Sequence, residues 1–400
     1  MDKKTIDDLA IFGGKSLFNH EIHIGRPNTG RREILLKRIN HLLDRRWLTN
    51  NGPFVQAFER KIEACTGVKH CVAVSNGTVA LELMIRALGL SGEVIVPSFT
   101  FISTVHALQW HGLTPVFCDI HPHTHNIDPD HIEALVTDNT TAILGVHLWG
   151  RPCDVNALQT IADKYNLKLI FDAAHAFGVS CQGKVIGNFG DAEFTSFHAT
   201  KFVNTFEGGA VLTNHTWLVE KLRLMRNFGF QDIDCVVSLG INAKMNEVSA
   251  AMGLTMLEDL DELVSSNQQR YRHYLRELSH CPGLQLLTYN EQEKGNYQYI
   301  VAEIDEQTSP LERDGIIDIF HAENCLVRRY FYPGCHRMEP YRSNPIYQDV
   351  RLPHTEAVAN RVLTLPNGET LAEKDIRRIC ALLRFIMDNG QAIQSRLSRC

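Results

Sequence analysis

Seven short apolar runs rich in β-branched residues alternate with longer segments of helical period, and this alternation limits what the chain can fold into more than any other feature. The runs are Cys71–Ser75, Glu93–Pro97, Thr114–Asp119, Ala142–His147, Lys168–Asp172, Glu193–Phe197 and Ala210–Thr213. Between the first two, Val79, Ala80, Leu83, Met84, Ala87 and Leu88 recur on one face of a helix. Strands alternating with helices imply βαβ units and a largely parallel sheet buried on both faces. The expectation is an α/β fold: a mostly parallel seven-stranded sheet sandwiched by helices.

After Asn214 the pattern changes. Trp217 to Arg226 and Ala243 to Leu278 read as helices, the second with a polar middle from Asn267 to Tyr274. A smaller α+β unit follows, with strand-like Tyr297–Glu303 and Leu326–Phe331 and a closing helix from Ala372 to Met387. The expected division is an N-terminal arm at 1–28, a large domain at 29–263 and a small C-terminal domain at 264–400. There is no internal repeat or low-complexity tract.

Composition excludes several classes of function. With 44% hydrophobic and 22% charged residues among 400, the chain has ample material for a large core. A formal charge of −6, without any basic run interleaved with aromatics, argues against a nucleic-acid binder. No apolar run approaches the ~18 residues of a membrane span. Met1 to Ala10 lacks the apolar core of a secretory signal, and the eleven cysteines include no C-x-x-C pair. Free thiols in a reducing cytoplasm are the expectation.

Three stretches at strand ends can carry chemistry. Ser75-Asn76-Gly77-Thr78 ends a strand and opens a helix, where unpaired backbone N–H groups can hold a phosphate and Gly77 permits close approach. An ordinary N-cap by Asn76 or Thr78 accounts for the same residues. Asp172, in Phe171-Asp172-Ala173-Ala174-His175, stands at the edge where open α/β sheets bind ligands. A buried carboxylate there needs a cationic or hydrogen-bonding partner; capping of the next turn is the plainer alternative, and Asp172 with His175 is too small a set for a metal. Lys201 lies among small and apolar residues in Phe197-His198-Ala199-Thr200-Lys201, a setting that lowers an amine's pKa and makes it nucleophilic toward a carbonyl. A solvated lysine is the ordinary alternative. Gly208 and Gly209 follow, before the next strand.

An anion cradle, a carboxylate and a lysine at one sheet edge together match what pyridoxal phosphate requires: a phosphate site, an anion for its pyridinium nitrogen and an amine for its aldehyde. Phe101, after the second strand, offers a platform for the ring.

Six segments carry a resemblance to a known family: WLTNNGPFVQAFE, SNGTVALELMIRALG, EVIVPSFTFISTVHA, FDAAHAFG, SFHATKFVNTFEGGAVLTN and GINAKMNEVSAAMG. In this order they resemble the DegT/StrS group of pyridoxal-phosphate-dependent sugar aminotransferases, of fold-type I architecture, from roughly Arg31 to Leu383. FHATK with TFEGGA is most similar to members that aminate C4 of a deoxysugar nucleotide. The resemblance implies Lys201 as the Schiff-base lysine, Asp172 at the pyridinium nitrogen, Phe101 on the ring face, His175 near the 3-hydroxyl, and Gly77, Thr78 and Ser196 at the phosphate. It implies a homodimer in which Asn242 reaches the neighbouring subunit's phosphate. The implied reaction transfers the amino group of L-glutamate to the C4 ketone of a dTDP-4-keto-6-deoxyhexose, the glucose-configured one preferred. Amination at C3, another nucleotide, glutamine as donor and a non-catalytic sensor remain alternatives; sugar dehydration is disfavoured because that branch carries a His in place of the lysine.

One departure follows Arg328, where Arg329-Tyr330-Phe331-Tyr332-Pro333-Gly334-Cys335-His336 replaces the family's usual Y-F-x-P-L-H. Arg328 or Arg329 is a candidate fork for a diphosphate, and Tyr332 and His336 are candidates for the substrate pocket or for packing alone. His121-Pro122-His123-Thr124-His125 has the look of a metal tract, but without ligand spacing that fixes a geometry it reads as a solvated loop.

Overall fold

The buried runs assemble into a sheet of seven strands: β1 (His70–Val74), β2 (Glu93–Pro97), β3 (Thr114–Cys118), β4 (Thr140–Val146), β5 (Lys168–Asp172), β6 (Ala192–Ser196) and β7 (Gly209–Thr213). The computed structural model describes residues 3–398; Met1, Asp2, Arg399 and Cys400 lie outside them. Each strand falls within two residues of its sequence expectation. The order is β1-β7-β6-β5-β4-β2-β3. The pairs β2–β3, β2–β4, β4–β5 and β5–β6 are parallel, while β7 runs antiparallel to both neighbours.

That single reversal matters for the site. It sets Gly209, the first residue of β7, level with Val74 at the end of β1 and Ser196 at the end of β6. The loops leaving β1, β2, β4, β5 and β6 therefore meet the loop entering β7 at one edge.

Helices α1 (Arg32–Arg45), α2 (Pro53–Thr66), α3 (Gly77–Leu88), α4 (Ile102–Trp110), α5 (Val155–Tyr165) and α6 (Thr216–Met225) connect or cover these strands. In α3 the apolar face buries Ala80, Leu83, Met84 and Ala87 against β6 and β7, and Gly89 at φ +69° ends it in the left-handed turn that glycine tolerates.

The single helix expected from Ala243 to Leu278 is two, α7 (Glu247–Glu258) and α8 (Leu260–Leu278). Asp259 caps α7 and pairs with Arg31 at 3.0 Å, which holds the break. Ala243 and Lys244 are not helical because the sheet edge claims them: Ala243 O accepts from Ser75 N–H and Lys244 bridges Val74.

A second sheet, β8 (Leu284–Leu286), β9 (Ile300–Ile304) and β10 (Val362–Leu365), is antiparallel and carries α9 (Arg313–Ala322), α10 (Pro353–Arg361) and α11 (Glu373–Leu397). The strand expected over Leu326–Phe331 is confined to Cys325–Leu326, paired with Ile22–His23. Beyond it the chain turns, with Tyr332 N–H donating to Arg329 O and Gly334 N–H to Phe331 O. The N-terminal segment is part of this second core. Leu9, Leu17 and Phe18 pack with Ile316, Phe320, Ile379 and Leu383, and the Glu323 carboxylate accepts the N–H groups of Ala10 at 2.8 Å and Leu17 at 2.6 Å. Among the described residues every cysteine is a free thiol, and no helix is long and apolar enough to cross a membrane.

Candidate active site

The shared edge encloses a cavity of about 520 Å³ whose walls include Gly77, Thr78, Phe101, Asp172, His175, Ser196 and Lys201. Residues spread over 125 positions of sequence thus line one space.

At one end stands the start of α3. Asn76 is the cap, its side chain accepting from Val79 N–H at 2.9 Å, which settles the choice between Asn76 and Thr78. A Cβ on Gly77 would lie 2.9 Å from Ser196 Cβ, and one on Gly209 would lie 2.5 Å from the Asn76 carbonyl carbon. Both glycines are required for the backbone to come this close, and the opening left beside the helix N-terminus is a cradle suited to an anion.

Asp172 ends β5 almost fully buried. Its two oxygens accept from Ala174 N–H at 2.9 Å and from the Thr104 hydroxyl at 2.8 Å. Burial pushes its pKa up, opposed by those two hydrogen bonds and by the charges of Lys201 and His147. A cation brought against it would stabilise the carboxylate further.

Lys201 sits part-buried in the loop after β6, its Nζ 3.3 Å from the Tyr299 hydroxyl. Burial lowers its pKa to about 8, with Asp172 pulling the other way. At pH 8 about half the amine is free base, against roughly 0.3% for an ordinary lysine. His175 is also neutral, held well below its usual pKa by burial and by Lys201. Its Nδ1 accepts from Trp149 N–H at 3.3 Å, so the proton resides on Nε2. Phe101 is half-exposed at the start of α4, edge-on to Phe331 at 6.4 Å.

Several wall residues carried no sequence signal. Tyr299, Tyr330 and Phe331 enter from the edge of the second sheet and the turn after Arg328, more than ninety residues beyond the other walls, in stretches that read only as strand-like. Thr104 was hidden as a helix residue. Asn242 is the cofactor candidate that does not reach the cavity of its own chain; it is exposed and bridges Asn227.

The substrate candidates separate. Arg328 lines an adjoining cavity of about 460 Å³ that shares Thr200, Lys201, Tyr299 and Tyr330 with the first. Arg329, Tyr332 and His336 line neither. Arg329 pairs with Asp314 at 2.7 Å, and the guanidinium groups of Arg313 and Arg329 lie 5.1 and 4.8 Å from the centre of the Tyr332 ring. His336 is buried, its Nδ1 2.7 Å from the Ser98 hydroxyl and its Nε2 3.1 Å from Glu356. Its work is to tie the turn after Tyr330 to the loop after β2. The histidine tract also divides: His121 and His123 stay at the surface, whereas His125 is completely buried, contrary to a solvated loop. Among the described residues no group of three or more metal-ligating side chains converges.

Comparison with known proteins agrees with this geometry. The model of the DegT/DnrJ/EryC1/StrS aminotransferase family matches residues 30–384. A dTDP-4-amino-4,6-dideoxy-D-glucose transaminase of Shigella dysenteriae is 37% identical over 365 residues, covering 91% of this chain and 99% of the relative. A GDP-perosamine synthase of Caulobacter vibrioides is 34% identical, covering 86% and 93%. The crystal structure of DesI in the presence of its TDP-sugar product superimposes with a TM-score of 0.94 at 46% identity, covering 98% of this chain and all of that one. On the family match and these relatives, the chain belongs to the DegT/DnrJ/EryC1/StrS aminotransferase family.

Proposed function

We propose that this chain is a pyridoxal-phosphate-dependent aminotransferase that moves the amino group of L-glutamate to the C4 ketone of a dTDP-4-keto-6-deoxyhexose, dTDP-4-dehydro-6-deoxy-D-glucose in particular. The observation that carries the reading is the meeting of Lys201, Asp172 and the glycine-walled start of α3 around one cavity. The cradle suits the cofactor's phosphate through Gly77, Thr78 and Ser196, Asp172 suits its ring nitrogen, and Phe101 suits its ring face. When bound, pyridoxal phosphate supplies a cationic ring that accepts the electrons of a breaking C–H bond.

The protein's own part is proton handling and orientation. Lys201, with a substantial share of its amine as free base near pH 8, takes a proton from the carbon beside the transferred nitrogen and returns it on the other side, the role its lowered pKa fits. Asp172, fixed by Thr104 and Ala174, keeps a negative charge where the ring needs it. The adjoining cavity has His23, Arg26, His321 and Arg328 in its walls and no carboxylate, a lining for anions such as a diphosphate or the donor's carboxylates. The substrate itself is supported by the names of the relatives and by the likeness of FHATK and TFEGGA.

The test is spectroscopic. Glutamate should bleach the visible band of the cofactor-loaded enzyme, and dTDP-4-dehydro-6-deoxy-D-glucose should restore it with release of a 4-amino sugar. Bleaching that this sugar never reverses removes the substrate; a protein with no band after addition of pyridoxal phosphate removes the cofactor.

The same reading includes a homodimer. Ile233, Val236 and Leu239 are 86%, 58% and 78% exposed, and Phe228, Phe230, Val237 and Ile241 extend this apolar surface up to Asn242. A stretch so apolar is unsuited to water and suited to a second copy, which would bring Asn242 to a neighbouring cradle. Ile233→Asp combined with Leu239→Asp is expected to reduce the mass in light scattering to that of one chain and to weaken cofactor binding at least about tenfold. A double variant that stays dimeric contradicts this interface.

A further inference from the structure

The buried member of the histidine tract, His125, lies within a chain of side chains leading to the site. Arg361 Nε donates to Glu303 Oε2 at 2.7 Å, and Glu303 Oε1 lies 3.0 Å from His125 Nε2. The indole N–H of Trp149 donates to His125 Nδ1 at 3.3 Å, and the backbone N–H of Trp149 donates to His175 Nδ1 at 3.3 Å. Trp149 is wholly buried, and its backbone is left-handed, at φ +60° and ψ 11°, which a bulky residue adopts only when its surroundings impose it. The bond to His125 fixes one end of that residue, and the ring packs 5.5 Å from Phe331 and 5.4 Å from Tyr299.

Two acceptor positions determine two tautomers. Because His125 Nδ1 accepts, its proton is on Nε2, which lies 3.0 Å from Glu303 Oε1 without the alignment of a hydrogen bond; because His175 Nδ1 accepts, its proton is on Nε2 as well. The charged and titratable neighbours agree. Glu303, Arg361 and Arg151 surround His125, and burial lowers its pKa against the pull of Glu303. Lys201 and the Tyr299 ring, 4.3 Å away, flank His175.

We infer that His125 is a positioning residue: by holding the indole of Trp149 it keeps the Trp149 backbone N–H on His175, and so maintains His175 as a hydrogen-bond donor toward the ring oxygen of the cofactor. The inference rests on the reading of the cavity as a pyridoxal-phosphate site. A donor at that oxygen favours its ionised form, so losing the donor shifts the ionisation upward.

The experiment is a pH titration of the visible band together with the dissociation constant for pyridoxal phosphate. His125→Leu and Trp149→Phe break the same bond from opposite ends, and Trp149→Phe keeps the backbone N–H. Each is expected to raise the titration midpoint by about one pH unit and weaken cofactor binding about tenfold. His125→Gln, which retains an acceptor for the indole, is expected to recover most of both. In a His175→Leu background, His125→Leu should add no further shift. Both variants titrating at the wild-type midpoint, or an undiminished shift in the His175→Leu background, overturns the inference while leaving the cofactor site in place. A wild-type enzyme with no visible band overturns the site reading instead.

Discussion

Lys201→Ala is expected to lower turnover by at least about 10⁴-fold, because it removes both a nucleophile and the group that carries the proton. No neighbour can substitute. The nearest polar group, the Tyr299 hydroxyl at 3.3 Å, has its pKa driven well above that of an ordinary tyrosine by burial, with Tyr330, Tyr289 and Asp172 adding to the effect. Lys201→Arg should be nearly as inactive, since a guanidinium stays protonated at any working pH. Small primary amines added to Lys201→Ala should restore part of the rate, increasing with the concentration of their free base. The cofactor-free protein provides an independent check of the lowered pKa. Between about pH 8 and 10.5 the unfolded chain binds more protons at this lysine than the folded one, so the stability of the folded state rises with pH across that window. Below pH 8 the folded state holds a poorly solvated ammonium, and cofactor-free Lys201→Met should melt higher than wild type at pH 7, with the gap closing as pH approaches 10.5. Constant melting differences across that range would mean that the amine is not perturbed.

Asp172→Asn is expected to cost about 10³-fold in kcat with little change in KM, the signature of an interaction that strengthens as charge develops. The amide keeps the shape of the carboxylate and can still accept from Thr104 or Ala174, so the loss isolates the charge from the geometry. Asp172→Ala should be no better, and its kcat/KM falling mainly through KM would assign the residue to substrate binding instead. Thr104 orients one carboxylate oxygen at 2.8 Å, so the site relies on a hydroxyl that sequence inspection passes over as an interior helix residue.

How much of this was legible in the sequence follows from where each residue gets its environment. The strands were readable because both faces of the sheet are buried, which leaves near-continuous apolar runs. Asp172 and Lys201 were readable because strand ends are fixed by the strands. Tyr299, Tyr330 and Phe331 were not, since nothing local distinguishes an aromatic that faces a cavity from one that packs. His336 stayed open between pocket and packing for the same reason: its partner Ser98 lies 238 residues away, and only the folded chain shows that hydroxyl and imidazole satisfying each other. Ala243–Asn246 has helix-compatible residues, but pairing with Val74 and Ser75 overrides local preference.

The burial of the N-terminal segment under the second core has a consequence for how the protein is made. Leu17 and Ala10 donate to a carboxylate on Glu323, 306 and 313 residues further along the chain. At ~5–20 residues per second a ribosome needs roughly 15–60 s to cover that distance. Through nearly all of that interval Leu9, Leu17 and Phe18 exist while α9 and α11, which enclose them, have not been synthesised. These apolar residues thus leave the ribosome long before the helices that shelter them, and the nascent chain carries them uncovered until α9 and α11 have followed.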